Sequence, residues 1–256
     1  ATGSTVGTWH PELWNMNLNN SPIARLGTKV WVLILGGTSS VDEIKEFDIV
    51  PVNNPGYPDH GLCVLSYIRT ITIPNLGPVG LTAKDSNTLI MGSVQTSLPT
   101  GDDFVLMEVD ISSNVAALTP LFSTGTYTWT PAGPILFSAT GGPLTGDLVY
   151  IPSSNTIVAS ITDFSSVVFT NTPPYTTGAI SYSVIHYSYS GAILGQASLP
   201  AGAVNTFSMF CYGGQVYVSS SAGHQLFDLT NYTLSQASFS LLNSNDKASS
   251  SSCCDP

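Results

Sequence analysis

Gly146-Asp147-Leu148-Val149-Tyr150-Ile151-Pro152-Ser153-Ser154-Asn155-Thr156-Ile157-Val158-Ala159-Ser160 reads as a strand, a short polar turn and a second strand. The second strand, Thr156 to Ala159, is apolar on both sides, so it has to be covered on both faces. Val79 to Ser93 repeats the unit, with Lys84-Asp85-Ser86-Asn87 as its turn. A third copy, Phe207 to Ser219, turns on Tyr212-Gly213-Gly214-Gln215, where glycine accommodates positive φ. The weakest copy is Lys29 to Leu35.

Each copy is followed by a second kind of segment. These are Ile44 to Ile49, Val105 to Ser112, Val184 to Ser190 and His224 to Thr230. In three of them an Asp stands between apolar residues at the strand end (Asp48, Asp110, Asp228), where its carboxylate can accept backbone N–H bonds in the following turn. Ser188 takes that place in the other. A further apolar stretch follows each, at Leu62 to Ile73, Val115 to Phe122, Ala192 to Leu199 and Tyr232 to Leu241. Four strands in succession with short turns is the grammar of an antiparallel sheet, written four times. No window sustains the 3.6-residue apolar period of a helix, and the chain is expected to be all β.

The intervals between Asp48, Asp110, Ser188 and Asp228 are 62, 78 and 40 residues. The longer ones must hold excursions, and Pro51 to His60, Thr96 to Asp103, Tyr127 to Gly146 and Phe164 to Ala179 are the Gly/Pro/Thr-rich candidates, expected to project from one face. Residues 1–27, with Trp9 and Trp14 among Asn, Pro and Gly, read as an irregular or edge segment; 28–242 form the repeat domain; 243–256 form a Ser-rich, Cys-containing tail.

Charged residues make up only 9% of the chain, against roughly 25% in ordinary domains, so Ser, Thr, Asn and Gly must supply the polar surface. The net charge of −10 provides no basic stripe to neutralise phosphates, which argues against nucleic acid as a partner. No apolar run reaches the roughly 18 residues that a spanning helix needs. The sequence opens on Ala1, so the lack of a leader says nothing about export.

Cys63 and Cys211 lie in apolar strands and are expected to pack as small hydrophobes. Cys253 and Cys254, after the run Ser249 to Ser252, are candidates for an intersubunit disulfide. There is no Cys-x-x-Cys spacing and no histidine cluster, and neither a metal nor a cofactor is expected. Asp85-Ser86-Asn87 and Asp102-Asp103 could offer oxygen to Ca²⁺, but lack the loop pattern of a calcium site; turn chemistry explains them better. Asp42, Glu43, Lys45 and Glu46 read as a solvated charged patch. His186 and His224 occupy nearly equivalent places in two repeats and could approach each other near a central channel. No nucleophile elbow or phosphate loop occurs, and no catalytic set assembles. Asn19 and Asn231 head Asn-x-Ser/Thr tripeptides.

These repeats resemble a β-propeller of the quinoprotein-like or WD-repeat-like kind, over roughly residues 29–242, although no Trp-Asp dipeptide closes a repeat. The resemblance implies four-stranded blades packed radially, four from the visible repeats and up to six if Trp9 to Leu18 and Tyr127 to Ala139 add strands of their own. A β-sandwich is the competing architecture. The sequence is also similar to propeller-type virion proteins of tailed phages, which implies a non-enzymatic structural or adhesive protein on the surface of a large assembly. It would be a capsid decoration or fibre component, virion-displayed or extracellular. Its partners would be other structural subunits, in a homo-oligomer or lattice, and glycans, docked through Tyr57, Tyr127, Trp129 and Tyr175. The alternative is a secreted carbohydrate-binding or polysaccharide-acting propeller using His186, Tyr187 and His224 at the channel.

Overall fold

The computed structural model describes residues 22–34, 41–51, 63–74, 78–98, 101–129, 137–141, 144–163, 168–169, 176–177, 179–200, 206–212, 214–237 and 250–251. The first sheet contains β1 (Ile23–Leu26), β2 (Lys29–Ile34), β3 (Asp42–Pro51) and β4 (Cys63–Ile73); the second contains β5 (Pro78–Ala83), β6 (Thr88–Leu98), β7 (Gly101–Asp110), β8 (Ala117–Trp129) and β9 (Phe137–Gly141). The third is built from β10 (Leu144–Ile151), β11 (Thr156–Asp163), β14 (Ser181–Ser188) and β15 (Ile193–Ser198), with the small hairpin β12 (Val168–Phe169) and β13 (Thr176–Thr177) inserted between β11 and β14. The fourth is β16 (Thr206–Tyr212), β17 (Gln215–Ser220), β18 (Gly223–Asp228) and β19 (Thr233–Gln236). No helix occurs among the described residues.

The four sheets are the blades of a β-propeller. Their first strands β1, β5, β10 and β16 stand side by side about the axis. Period-two alternation decides what each strand does. In β2, Trp31 and Leu33 face blade 2 while Val30 and Val32 face away from it. In β6, Leu89 and Met91 face blade 1 and Ile90 faces blade 3. In β11, Ile157, Ala159 and Ile161 face blade 2, and Val158 faces blade 4. The strands apolar on both sides are therefore the ones sandwiched between neighbouring blades, and the core is a set of seams rather than one centre.

The repeat boundaries match the blades, and each turn behaves as its residues require. Asn155 takes φ 51° and donates its backbone N–H to the Pro152 carbonyl at 3.2 Å; Gly214 takes φ 74°. The Asp110 carboxylate accepts from the Ser112 N–H at 2.8 Å, and the Asp228 carboxylate from the Thr230 N–H at 2.7 Å. Asp48 differs, because β3 runs on to Pro51 with no turn for it to close, and it accepts instead from the Thr28 hydroxyl at 3.1 Å.

Several expectations are revised. Tyr127 to Ala139 builds no further blade: β8 and β9 pair through Trp129↔Phe137 as the outer edge of blade 2. Trp9 to Leu18 lies outside the described residues. β1 lies within the stretch read as irregular. Within the stretch read as a tail, β20 (Ser250–Ser251) runs parallel to β1. Of the stretch Thr96 to Asp103, the residues up to Leu98 belong to β6 and those from Gly101 to β7, paired through Leu98↔Gly101 after a register shift between Gln95 and Leu98, so the expected loop is largely strand.

Blades 3 and 4 show how tightly the seams are made. Tyr232, at φ 55°, lays its ring over Gly195, where an added Cβ would come within 2.3 Å of the ring carbons. A left-handed backbone at a bulky residue costs on the order of 1 kcal/mol, which the buried ring offsets. Gly195→Ala should destabilise the protein by about 1–3 kcal/mol, measured by urea unfolding; an unchanged midpoint would show that the ring moves aside freely.

Candidate functional site

Two residues before Asp48, Asp110, Ser188 and Asp228 stand Glu46, Glu108, His186 and Leu226. Alternation points each of these side chains at the next blade, so three of the four positions set a polar group into a seam.

Between blades 1 and 2, Glu46 is buried, accepting from Arg69 Nε at 2.6 Å and lying 3.3 Å from Lys29 Nζ. Arg69 carries the link across the seam by donating through Nη2 to the Ile111 carbonyl at 2.7 Å. The planar guanidinium directs two separate nitrogens, Nε and Nη2, at the two acceptors from one rigid fork. Lys45 and Asp42 are also buried. The expected solvated patch is therefore revised: Glu46 and Asp42 are buried, Lys45 is buried on the opposite face of β3, where it pairs with Glu43 within blade 1, and only Glu43 stays partly exposed.

Between blades 2 and 3, Lys84 Nζ donates to Glu108 Oε1 at 2.5 Å and to Tyr189 Oη at 3.0 Å, while the Tyr189 hydroxyl also donates to Glu108. The ammonium lies 4.5 Å from the Tyr189 ring centroid, and Tyr150 meets that ring edge-on at 6.0 Å. Burial alone would lower the pKa of Lys84, but its bonds to Glu108 and Tyr189 outweigh that and hold it above its ordinary value. The bond from Lys84, with that from Tyr189, keeps Glu108 below the usual carboxylate range. Burial and the bond to Glu108 push Tyr189 up to about 12. At neutral pH the lysine stays charged, the carboxylate ionised and the phenol protonated. None is poised to exchange a proton near pH 7, so the cluster is suited to holding blades together rather than to acid–base work.

Between blades 3 and 4, His186 is buried, with Nε2 2.8 Å from Thr156 Oγ1 and its ring 6.1 Å from that of Tyr232. Nδ1 has no hydrogen-bond partner among the described residues. Ser160, Thr162 and Gln225 face the same seam and also carry buried polar atoms without such a partner. This is the seam least well satisfied. Burial lowers the pKa of His186, so the folded protein holds it neutral.

The sequence-derived site residues do not converge. His186 and His224 sit on β14 and β18, the third strands of their blades, so neither borders the axis; His224 Nδ1 is paired with the Ser219 hydroxyl at 2.7 Å. Tyr187 packs against Phe122, with ring centroids 5.2 Å apart, in the seam between blades 2 and 3. Tyr127 and Trp129 lie on β8, with both side chains outside the described set; Tyr57, Tyr175, Cys253, Cys254 and Asn19 lie outside the described residues altogether. Asn231 is exposed, and its side chain donates to Asp228 at 2.8 Å. Asp85 accepts from the Asn87 N–H at 2.8 Å, the turn role expected of it, whereas Asp103, also expected in a turn, lies within β7 and accepts from the Ser123 hydroxyl at 2.5 Å. No group of three His, Cys, Asp or Glu side chains among the described residues could hold a metal ion.

The cysteines also need correction. Cys63 is free and exposed because it opens β4, the outer edge of blade 1, where Val64, Leu65 and Ile68 are exposed too. Cys211 is buried as expected, but it is disulfide-bonded.

No family model matches the chain. No curated protein matches it either. Among solved structures, the chain is similar to a Thermus thermophilus protein described as a "putative oxidoreductase (glucose dehydrogenase)", with 11% identity, a TM-score of 0.29, and 80% of this chain and 92% of that one covered. A member of the DUF4221 family from Bacteroides vulgatus is similar at 10% identity and a TM-score of 0.27, covering 78% and 86%. Neither likeness is close enough to carry an activity to this chain, and neither description mentions a virion.

Two outcomes test the seams. Glu108→Gln removes the charge that Lys84 and Tyr189 share and should cost about 1–2 kcal/mol in urea unfolding; no loss would mean the cluster is solvated and idle. His186 binds a proton more readily unfolded than folded, so its contribution to stability is complete above the ordinary value of 6.5 and is lost as pH falls through the lowered folded value. Unfolding free energies between pH 7 and 4.5 should fall more steeply for the native chain than for His186→Gln; parallel curves would remove His186 from the account.

Proposed function

We propose that this propeller is a non-enzymatic structural or adhesive module, displayed on the surface of a large assembly, with a virion as its setting. The observation that carries the reading is the inequality of the two ends of the ring. At one end, in blades 2 to 4, the connections β5–β6, β7–β8, β10–β11, β14–β15, β16–β17 and β18–β19 are short turns. The other end carries the excursions of blades 2 and 3. The β6–β7 ladder climbs from Thr88↔Asp110 to Leu98↔Gly101, whereas β2–β3 in blade 1 ends at Ile34↔Glu43 and β17–β18 in blade 4 at Ser220↔Gly223. At about 3.4 Å per residue, the blade 2 hairpin rises on the order of 10–20 Å above those neighbours. The far end of β8, with Tyr127 and Trp129, and the β12–β13 hairpin stand at the same end. A scaffold that commits its charged groups to its own seams and raises strands at one end is built to present a contact surface.

The partners of that end are neighbouring structural subunits, in a homo-oligomer or lattice, with glycans as further ligands of its aromatic residues. The scarcity of surface charge supports the extracellular or virion-surface placement. β3 ends and β4 begins at the opposite end, and Tyr57 falls between them outside the described residues, so Tyr57 is the weakest member of the proposed contact set.

The test is electron microscopy and sedimentation of native material, together with the double variant Tyr127→Ala/Trp129→Ala. The native protein should be found in particles or higher assemblies. The variant should keep its thermal midpoint while losing at least tenfold in association. A subunit that sediments alone at every concentration would overturn the reading; selective glycan-array binding or polysaccharide turnover by such a lone subunit would favour the carbohydrate-directed alternative.

A further inference from the structure

The seam between blades 3 and 4 changes character along its length. Beyond the β10–β11 turn, Thr156 is followed on the same face of β11 by Val158, Ser160 and Thr162; beyond the β16–β17 turn, Val216, Val218 and Ser220 succeed one another on β17. Val158, Val216 and Val218 belong to one apolar cluster, so these are the two faces that meet. Further from the turns, hydroxyl confronts hydroxyl. Ser160, Thr162 and Ser220 are all buried, at 0%, 2% and 7% exposure. Two more buried polar side chains enter from the third strands, His186 as the ladder partner of Val158 and Gln225 as that of Val218.

Ser220 is satisfied locally, its hydroxyl accepting from the Ala222 N–H at 3.1 Å. Ser160 Oγ, Thr162 Oγ1, Gln225 Oε1 and His186 Nδ1 have no hydrogen-bond partner among the described residues. Four such atoms in a dry seam would carry a heavy desolvation penalty. The backbone opens at the same level. β10 departs from regular pairing between Leu144 and Leu148, opposite Ser160, and β16 departs from it between Thr206 and Ser208, opposite Ser220 and Ser219. Extra residues bend the strand that carries them, and both strands are the inner ones of their blades, beside the axis. Gly223, the ladder partner of Ser220, contributes no side chain.

We propose that this seam is a binding site for internal water, held by Ser160, Thr162, Gln225 and His186 where the two inner strands bulge. The hydrogen-bonding capacities select the guest. Gln225 Oε1 only accepts, the two hydroxyls donate or accept, and His186 Nδ1 does one or the other according to which ring nitrogen carries the proton. A cation would suit the amide oxygen and the hydroxyls but not an imidazole N–H, whereas water answers all four. Bound water thereby joins blades 3 and 4 at their margin, as Arg69 and Lys84 join the seams on either side of blade 2.

A high-resolution crystal structure of the full chain tests the site directly. Ordered water should lie within about 3.2 Å of at least three of the four atoms. A dry seam, or the four atoms bonded to other parts of the chain, would overturn the proposal. Thr162→Val keeps the side-chain shape and deletes only the hydroxyl. If that hydroxyl binds water, the folding equilibrium constant in urea titration should fall about two- to tenfold; a dry hydroxyl would give a constant unchanged or raised, and that result sinks the site even where the variant Ser160→Ala loses stability through its cavity. Thermal midpoints in sodium chloride and in tetramethylammonium chloride at equal ionic strength should agree. A saturable rise specific to sodium would mean that the seam holds a cation instead of water.

Discussion

Each blade is a sheet with two apolar faces, and neither face can be hidden by the blade that owns it. Fully buried side chains of single strands, Leu89 and Ile90 in β6 and Ile157 and Val158 in β11, divide between two seams, so removing blade 2 or blade 3 exposes both of its neighbours. Folding is therefore a matter of closing a ring, and the stability of any one sheet is inseparable from the register of the next. Four blades are few for such a ring. The curvature per seam is correspondingly large, and the seams have to be held at their margins as well as along their apolar middles.

The polar position two residues before Asp48, Asp110 and Ser188 does this marginal work. Glu46 reaches across with the help of Arg69, Glu108 with Lys84 and Tyr189, and His186 with Thr156 beside Tyr232. A chain with six Lys and Arg residues spends Lys29, Lys84 and Arg69 on contacts of this kind.

Much of the fold was legible because two independent signals coincide in it: strands apolar on both sides, and turn residues spaced so that a second strand must return along the first. The segments at Ile44, Val105, Val184 and His224 became β3, β7, β14 and β18, and Asp110 and Asp228 closed their turns as their side chains dictate. The seam contacts were harder to read. Glu46, Glu108 and His186 recur at a fixed offset from Asp48, Asp110 and Ser188, a pattern visible in the letters. Their partners Arg69, Lys84 and Tyr189 come from unrelated places in their repeats, and only the radial packing brings them together. His186 and His224 were misplaced for a related reason. Equivalence along the repeat fixes a strand's rank within its blade, and third strands stand away from the axis however similar their sequences. The bond at Cys211 was hidden because its strand is apolar enough for a thiol to pass as core.

The tall hairpin of blade 2 has a mechanical meaning. Its base is gripped from both sides, through Leu89 and Met91 toward one neighbour and Ile90 toward the other, so a sideways push on the tip compresses one seam while it pries at its opposite. Because both strands run from the seams out to the Leu98↔Gly101 pair, with one register shift between Gln95 and Leu98, the hairpin works as a lever whose fulcrum is the ring itself, and whatever pulls on it loads the whole circle rather than a single loop.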